Sequence, residues 1–428
     1  MTVRLVILLC LIWWTACSPI SKNSLNKEFR ETEKNFHDHT GFTLYDLQQH
    51  KTVFDYNGSS YFTPASNTKI FTFYTALTTL HDSVPALRYV EQGDSLIFWG
   101  TGDPSLLYHK VFTNDKVITF LSDTDKTLYF AANNYQTTHF GAGWAWDDYN
   151  DYYSAERSPL PIYGNLINVQ GVSTGVQVKP NYYNKFIVYN DGGSEQPVVR
   201  NTDSNLIAVT KPLSLGFAKE LPAKISVDVT IQLLSDTLKK IVQPISMPLP
   251  AVALTLFSVP ADSLYKVMMQ ESDNFIAEQL LLVSAGIMSD TLKPEIAIRR
   301  MKQGLLKDLL DEPIWFDGSG LSRYNLFTPR SVVQLWEKIY SLVPRERLFQ
   351  LLAIGGKAGT IKNWYQAPQP FIFGKTGSLS NNHCLSGFIV TRSGKTLIFS
   401  FMNSNFATSS TEVRKNMQKI LTQIYENY

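Results

Sequence analysis

Apolar residues recur at helical spacing near both ends of the chain and predict helices there. Five apolar side chains of the last of these segments, Val413, Met417, Ile420, Leu421 and Ile424, form a single stripe that one packed helix face would bury. The predicted helices cover residues 25–36, 64–80, 263–269, 275–285, 294–310, 330–342 and the segment around 413–424.

Strand patterns also occur at both ends of the chain. Residues 41–56 have the pattern of a hairpin with a polar turn at 48–51, and residues 371–374, 385–391 and 395–403 are runs of strand-forming residues. Because matching strands lie so far apart in the sequence, we expect one sheet to be assembled from both ends of the chain.

The middle of the chain has a different pattern. Residues 95–99, 127–131, 185–189 and 205–209 are short and rich in β-forming residues, with Asn, Asp and Gly between them. Ile225, Val227, Val229 and Ile231 alternate with polar residues, which predicts a half-buried strand.

The sequence therefore predicts an α+β fold interrupted by an insertion. We expect a signal segment at residues 1–17, a main domain formed by residues 18–88 and 250–428, and a β-rich insertion at 89–249. The insertion is expected to divide into two lobes near residues 164–171.

Composition supports a folded protein and excludes some partners. The chain has 428 residues, of which 44% are hydrophobic and 13% aromatic, as expected of packed cores. Its formal net charge is +2, so charge gives no reason to expect a nucleic-acid partner or a polybasic membrane patch.

The amino terminus has the features of an export signal. Arg4 precedes an uncharged apolar stretch at residues 5–14 that is too short to span a bilayer, and small residues then lead to Cys17. This resembles a bacterial lipoprotein signal in which Cys17 receives the lipid, although Trp14 stands where such signals usually have Leu. The alternative is ordinary cleavage and a soluble periplasmic protein. Only Cys384 then remains, so no disulfide framework inside the folded chain is expected.

The first candidate chemistry lies in the second predicted helix. Ser66 and Lys69 are three residues apart, so their side chains can meet on one helix face. A hydroxyl beside a partly desolvated amine forms a nucleophile and base pair. The start of the helix also brings backbone N–H groups near Ser66, where an oxyanion could be held.

Two later motifs give this pair its context. Ser272-Asp273-Asn274 lies inside a helix-patterned region, and Lys375-Thr376-Gly377-Ser378 precedes an apolar run. The ordered set Ser-x-x-Lys, Ser-Asp-Asn and Lys-Thr-Gly is typical of penicillin-binding proteins and class A β-lactamases.

With these motifs, the chain resembles the D-alanyl-D-alanine carboxypeptidases/endopeptidases of the low-molecular-mass penicillin-binding proteins, in the branch with a large insertion after the nucleophile. The long separation of Ser66 from Ser272 agrees with that branch. Three further stretches also resemble this family: Gly100-Thr-Gly-Asp-Pro-Ser-Leu, Gly143-Trp-Ala-Trp-Asp-Asp with Tyr153-Ser-Ala, and Asp317-Gly-Ser-Gly-Leu-Ser-Arg.

The resemblance implies a β-lactamase/transpeptidase-like domain and a role for each motif residue. Ser66 would attack the D-Ala-D-Ala carbonyl, Lys69 would be the base, and Ser272 would relay a proton to the leaving amine. Asn274 would hold the substrate amide, and Lys375 and Thr376, on an edge strand, would bind the terminal carboxylate. Gly377 would let the substrate lie close against that strand. The N–H groups of Ser66 and Ser378 would form the oxyanion hole. Gly374, where the family commonly has a larger residue, is a departure.

The implied substrates are peptidoglycan stem peptides, cut at terminal D-Ala-D-Ala and at D-Ala cross-links, with β-lactam antibiotics as acylating inhibitors. The resemblance implies no metal or organic cofactor and a periplasmic location, with lipid on Cys17 as a membrane anchor. Two alternatives stay open: a β-lactamase or esterase of the same fold, and a non-catalytic peptidoglycan-binding protein. The sequence has no Glu-x-x-Leu-Asn pentad of the kind that class A β-lactamases use for deacylation.

Three other motifs are weaker. Ser173 lies in a Gly-x-Ser-x-Gly match, but a strand-like segment follows it instead of the helix that a nucleophile elbow requires. The Tyr-Gly-Asn at 163–165 could compete with Ser272 as the second motif, and the histidines at 37 and 39 could suggest a metal, but neither has a supporting context.

Overall fold

A computed structural model describes residues 21–110, 115–190, 196–210 and 212–428 of the protein. The predicted signal segment and Cys17 lie outside the described residues. None of the helices within those four ranges is both long and apolar enough to cross a membrane.

A six-stranded antiparallel sheet forms the centre of the main region. Its strand order is β14-β15-β16-β17-β1-β2, so strands from the carboxyl end of the chain pair with the amino-terminal hairpin. The strands are β1 His39–Asp46, β2 Lys51–Tyr56, β14 Ala353–Ile354, β15 Ile372–Leu379, β16 Asn382–Val390 and β17 Thr396–Ser404. The expectation of one sheet built from both ends is confirmed.

Helices cover both faces of this sheet. Successive side chains of a strand point to opposite faces, and consecutive apolar residues in the inner strands therefore make both faces apolar. Leu385, Phe399 and Phe401 pack with the first and last helices, whereas Cys384 and Phe388 pack with the remaining ones. The first and last helices are α1 Lys22–Phe36 and α10 Ser410–Asn427, and those of the other face are α2 Thr68–Thr79, α5 Ala261–Gln270, α6 Asn274–Ser289, α7 Pro294–Gln303, α8 Pro329–Leu342 and α9 Arg345–Leu351.

A second region lies between α2 and α5 and has its own hydrophobic core. Its largest sheet has the order β12-β5-β4-β3-β13, and two three-stranded sheets have the orders β8-β10-β9 and β11-β6-β7. The elements are β3 Ser83–Gln92, β4 Ser95–Gly100, α3 Lys116–Asp123, β5 Thr127–Ala131, β6 Leu166–Val172, β7 Gly175–Lys179, β8 Ile187–Asn190, β9 Val198–Arg200, β10 Ile207–Thr210, β11 Ala218–Pro222, α4 Val227–Leu238, β12 Val242–Pro244 and β13 Leu254–Pro260.

The strand predicted from the alternation of Ile225 to Ile231 is wrong. These residues enter α4, which begins after the N-cap Ser226, whose hydroxyl accepts a hydrogen bond from the N–H of Val229. The buried side chains continue to Leu234 and Leu238, at helical spacing. Four alternating apolar positions are too few to distinguish a strand from a helix, whereas a serine that caps the first turn is typical of a helix start.

The helix predicted at residues 294–310 is also too long, because α7 ends at Gln303. Gly304 follows it, and its N–H bonds to the carbonyls of Arg300 and Met301 to close the last turn. A glycine directly after the last helical residue is a common stop signal.

Candidate active site

Ser66 lies in a tight turn, Ala65–Asn67, immediately before α2, and is half-buried. The Asn67 side chain ties this turn to the sheet: its Nδ2 donates to the carbonyl of Lys375 at 2.9 Å, and its Oδ1 accepts from the Ser386 hydroxyl at 2.7 Å. The hydroxyl that the sequence predicts as a nucleophile is therefore held between the start of a helix and strand β15.

Lys69 lies one turn into α2 and is completely buried. Its Nζ donates to Ser66 Oγ at 2.8 Å, to Asn274 Oδ1 at 2.6 Å and to the carbonyl of Ser319 at 2.7 Å. All three partners are neutral. Burial lowers the pKa of Lys69 to about 8, although the nearby carboxylates of Asp317, Asp273 and Glu278 act in the opposite direction. An amine with this pKa can accept a proton near neutral pH.

The loop that presents the Ser319 carbonyl is organised by Asp317, a fully buried side chain. Its carboxylate accepts hydrogen bonds from the Trp144 indole at 2.9 Å, from the N–H groups of Gly320 and Ser322 at 2.9 and 2.7 Å, and from the Asn325 amide at 2.7 Å. A carboxylate bound by four donors fixes the backbone around it. The position of the Ser319 carbonyl, the third acceptor of Lys69, is thus set by residues that are distant from Lys69 in sequence.

Glu278 supports the same loop from α6. Its Oε1 accepts the N–H of Ser319 at 2.7 Å, and its Oε2 lies 3.4 Å from the Arg157 guanidinium. Both side chains of this ion pair are almost fully buried. Burial, and secondarily Asp317, raise the pKa of Glu278, whereas Arg157 lowers it. The loop therefore links a buried ion pair to Lys69 through the backbone of a single residue, Ser319.

Ser272 and Asn274 lie at the junction of α5 and α6, as the sequence predicts. Ser272 has a left-handed backbone with φ of 63°, and Asp273 caps α6 by accepting the N–H of Ile276 at 2.9 Å. This cap places Asn274 at the first position of α6. Its amide nitrogen donates to the carbonyl of Tyr153 at 3.1 Å while its oxygen accepts from Lys69.

Lys375, on β15, completes the cluster from the sheet. Its buried Nζ donates to Ser272 Oγ at 2.7 Å and to the carbonyl of Thr376 at 2.7 Å. Burial, and then the charge of Lys69, lower the pKa of Lys375 well below its usual value. Each of the two lysines thus holds one serine hydroxyl: Lys69 holds Ser66, and Lys375 holds Ser272.

The rest of the Lys-Thr-Gly-Ser motif continues along β15 beyond the short strand β14, which pairs only with Phe373 and Gly374. The Thr376 hydroxyl bonds to that of Thr360 at 2.7 Å, and Ser378 Oγ lies 2.8 Å from His383 Nδ1. Burial lowers the pKa of His383 to about 3, so this ring is neutral.

Gly377 lies where the strand passes closest to the nucleophile turn. A Cβ added there would lie 2.4 Å from the carbonyl oxygen of Pro64 and 2.9 Å from the backbone nitrogens of Ser66 and Asn67. A side chain would therefore push β15 away from the Ser66 N–H. The sequence predicts that this glycine lets the substrate lie close to the strand, whereas the contact that the structure shows is between the strand and the Ser66 turn.

A cavity of about 380 Å³ opens beside Ser272 and Asn274 and is also lined by Lys110, Tyr152 and Tyr153. Side chains from the main region and from the second region thus meet next to the predicted catalytic residues. A substrate bound there would contact both regions.

The motifs that the sequence disfavours lie outside this cluster. Ser173 is an exposed residue between β6 and β7, with no helix after it, and the Asn165 side chain bonds to Glu156 and Ser158. Within the parts of the chain that the structure describes, no group of three or more His, Cys, Asp or Glu side chains could hold a metal ion.

Sequence reasoning did not identify Glu278, Arg157, Asn67 or Thr360 as parts of the site. Glu278 and Thr360 contact the Ser319 loop and Thr376 from distant points of the chain, and Arg157 pairs with Glu278, so spacing could not reveal them. Asn67 lies inside the Ser-x-x-Lys motif, but its partners Lys375 and Ser386 are distant in sequence. Asp317 lies in one of the stretches that resemble the family, and that resemblance was the only signal pointing to it.

Comparison with known proteins agrees with this geometry. Residues 23–428 match the model of the D-Ala-D-Ala carboxypeptidase 3 (S13) family. The D-alanyl-D-alanine carboxypeptidase DacB of Haemophilus influenzae is 26% identical over 440 aligned residues, covering 90% of this chain and 89% of that protein. The crystal structure of penicillin binding protein 4 (dacB) from Haemophilus influenzae has a TM-score of 0.76 at 21% identity, covering 93% and 99% of the two chains.

A more distant likeness is to a penicillin G-acylated predatory endopeptidase of Bdellovibrio bacteriovorus, solved with an immunity protein. Its TM-score is 0.50 at 15% identity, and the match covers 90% of this chain and 92% of that one. The structural likenesses confirm the predicted fold class, an α+β fold of the penicillin-binding type.

Proposed function

The chain belongs to the D-Ala-D-Ala carboxypeptidase 3 (S13) family of serine carboxypeptidases, and on that premise we propose that Ser66 is its nucleophile. The observation that carries the proposal is the bond of 2.8 Å between Ser66 Oγ and the buried amine of Lys69. A serine hydroxyl is a weak nucleophile until an adjacent base removes its proton. Lys69, with a pKa lowered to about 8, is suited to that role.

In the proposed acylation step, Ser66 Oγ attacks the carbonyl carbon of the penultimate D-Ala while Lys69 Nζ takes the hydroxyl proton. The backbone N–H groups of Ser66 and Ser378 stabilise the oxyanion, which the close approach of β15 at Gly377 supports. The C–N bond then breaks, and a proton passes through Ser272 to the leaving amine of D-Ala. Water later hydrolyses the ester of Ser66 and regenerates the hydroxyl.

The remaining motif residues position the substrate in this proposal. Lys375 and Thr376 bind the terminal carboxylate, because an amine and a hydroxyl on a free strand edge are suitable donors for it, and the bound carboxylate would favour the charged form of Lys375. Asn274 holds the peptide amide of the substrate while keeping Lys69 in place. The free edge of β15 lets the substrate backbone add alongside the strand.

We further propose that the enzyme cuts D-Ala cross-links and is acylated by β-lactams. The endopeptidase activity and the penicillin G acylation of the Bdellovibrio protein support this. The strained amide of a β-lactam presents the same kind of carbonyl to Ser66. The lack of a Glu-x-x-Leu-Asn pentad leads us to expect a long-lived acyl-enzyme.

The domain division and the location are also proposals. We propose that residues 18–88 and 250–428 form the penicillin-binding domain and that 89–249 form an inserted region, a division that the separate hydrophobic clusters support. Strand β3 extends across the first proposed boundary, and β13, from the second segment of the penicillin-binding domain, pairs with it. We also propose a periplasmic enzyme that is anchored by lipid on Cys17.

The proposed reaction predicts release of D-Ala from a free pentapeptide that ends in D-Ala-D-Ala. The rate should be unchanged by EDTA, because every proposed step uses side chains and backbone groups of the chain. Chromatographic detection of D-Ala and of the shortened peptide measures this directly. Inhibition by EDTA, or cleavage at another bond, would count against the mechanism.

The rate of acylation should rise with pH as Lys69 loses its proton, and Glu278→Gln should move this rise to lower pH. The Glu278 carboxylate favours the charged form of Lys69, so its removal should lower the pKa of Lys69 further below about 8. A smaller loss of rate at the plateau is also expected, because the buried Arg157 would lose its partner.

Glu295→Gln is the matched control, since Glu295 is an exposed acid on the neighbouring helix α7. The benzylpenicillin acylation rate of each protein would be measured between about pH 6 and 10, a range that brackets an amine with a lowered pKa. A rise that stays in place or moves to higher pH in Glu278→Gln would show that Glu278 does not tune Lys69.

A further inference from the structure

A groove of about 310 Å³ lies beside the loop that follows β5 and is lined by none of Ser66, Lys69, Ser272 and Lys375. Its walls include four aromatic side chains: Phe140, Trp144, Trp146 and Tyr149. Trp146 is 81% exposed and Phe140 37% exposed. Single exposed aromatic residues are ordinary, but several around one concave surface mark a binding site.

The groove is built rigidly around Arg200, whose side chain is buried. The Arg200 guanidinium lies 5.4 Å from the centre of the Tyr149 ring and joins the Tyr149 side of the groove to the segment 201–204. It donates to the carbonyls of Pro222 at 2.7 Å, Asn201 at 2.6 Å, Tyr149 at 3.1 Å, Ser204 at 3.2 Å and Thr202 at 3.4 Å. A wall held in this way needs little ordering when a ligand binds.

The polar side chains of the groove have mixed charge. Asp203, Lys224 and Thr202 line it beside the aromatic rings. Such a surface does not select a strongly charged ligand. A pyranose sugar fits it well, because its C–H faces pack on aromatic rings while its hydroxyl and acetamido groups form hydrogen bonds at the edges.

The groove is continuous with the Ser66 site through one short segment of chain. The Trp144 indole donates to Asp317, which holds the loop whose Ser319 carbonyl accepts from Lys69. Tyr153 lies nine residues after Trp144, and its carbonyl accepts a hydrogen bond from the Asn274 amide. A ligand in the groove therefore lies next to the site rather than on an unrelated surface.

We propose that this groove, lined by Phe140, Trp144, Trp146 and Tyr149, binds the glycan strand of the substrate, a chain of N-acetylated amino sugars. The proposal rests on the proposed function, because the glycan is the part of peptidoglycan that carries the stem peptide. A stem peptide of five residues spans at most about 18 Å when extended. A peptide held at Ser66 keeps its own sugars close to the protein surface, where the groove can engage them.

The test uses the whole enzyme and two kinds of probe. Calorimetry measures binding of peptide-free glycan oligomers, obtained by removing the stem peptides from peptidoglycan. Kinetics compare kcat/KM for a disaccharide pentapeptide with kcat/KM for the same pentapeptide without sugars. The variants are Trp146→Ala, Trp146→Phe, which keeps a ring, and Val252→Ala, an apolar position that is also 81% exposed but lies outside the groove.

We expect the parent to bind the glycan oligomers and Trp146→Ala to bind them about five- to tenfold more weakly. Its kcat/KM should fall by a similar factor on the disaccharide pentapeptide but stay within about twofold of the parent on the free pentapeptide. Trp146→Phe should recover part of the loss, and Val252→Ala should match the parent.

The proposal is overturned if the parent binds no glycan, if Trp146→Ala and Val252→Ala behave alike, or if Trp146→Ala affects both peptides equally. Failure of the proposed function has a different signature. In that case the parent would release no D-Ala from either peptide, whereas glycan binding and its dependence on Trp146 could still be measured.

Discussion

Replacing Lys69 with methionine should slow acylation by benzylpenicillin by about 10²- to 10⁴-fold, the range that a general base contributes. Lys69 Nζ is 2.8 Å from Ser66 Oγ, and we propose that it removes the proton of that hydroxyl. Methionine has a similar length and fits a buried position but cannot accept the proton. The Ser66 hydroxyl would remain in place without its base.

The same account fixes the direction of the pH dependence in the parent enzyme. Because burial lowers the pKa of Lys69 to about 8, the neutral amine becomes the main form above that pH. Acylation should therefore accelerate as the pH rises through about 8 and then level off. The Lys69→Met variant should lose this limb of the profile together with most of the rate.

Lys266→Met is the control for this change, because Lys266 is an exposed lysine on α5. Thermal denaturation of both variants would show whether each one folds, since Lys69→Met leaves the Asn274 and Ser319 oxygens without their buried donor. A folded Lys69→Met protein that acylates at the parent rate would mean that another group is the base.

The contacts that the sequence predicts best are the local ones. The three-residue spacing of Ser66 and Lys69 on a helix predicts their contact, and the structure has it. The contact of Lys69 with Asn274 and that of Lys375 with Ser272 join distant segments. Only the resemblance to a family placed these residues in one site, because no pattern within a segment specifies which other segment it meets.

The groups that no motif contains were the hardest to predict. The third acceptor of Lys69 is the backbone carbonyl of Ser319, and a carbonyl is present in every residue. What makes this one useful is the loop geometry, which Asp317 and Glu278 hold from different parts of the chain. Three donors of Asp317 follow it closely in sequence, but its bond from Trp144 and the bond of Glu278 to Ser319 join distant segments and depend on how the chain folds.

The one error in the type of element arose in the second region, where segments are short, whereas the overlong helix predicted at 294–310 lies in the main region, where α7 ends at Gln303. Alternation over residues 225–231 favoured a strand, but the side chains at 233, 234 and 238 complete a helical face. In the main region, longer segments made the pattern less ambiguous, and most helices and strands appear where the sequence predicts them, although α9 and the short strand β14 were not predicted.

Ser66→Ala should abolish covalent reaction with β-lactams and with peptide substrates. This change removes one oxygen atom that is half-buried and leaves the helix and the Lys69 amine in place. We expect no other hydroxyl to replace it, because Ser272 bonds to Lys375 and Lys69 would retain its bonds to Asn274 and Ser319. Removing the nucleophile of such a unit costs about as much as removing the whole unit.

The most direct test is the intact mass of the protein after incubation with benzylpenicillin. A form without residues 1–17 avoids any lipid, and the Ser66→Ala variant is treated in parallel. We predict one stable adduct with the mass of the whole drug on the parent and none on the variant. An adduct on both proteins would contradict the assignment of Ser66, and an unmodified parent with the drug hydrolysed would indicate a β-lactamase instead.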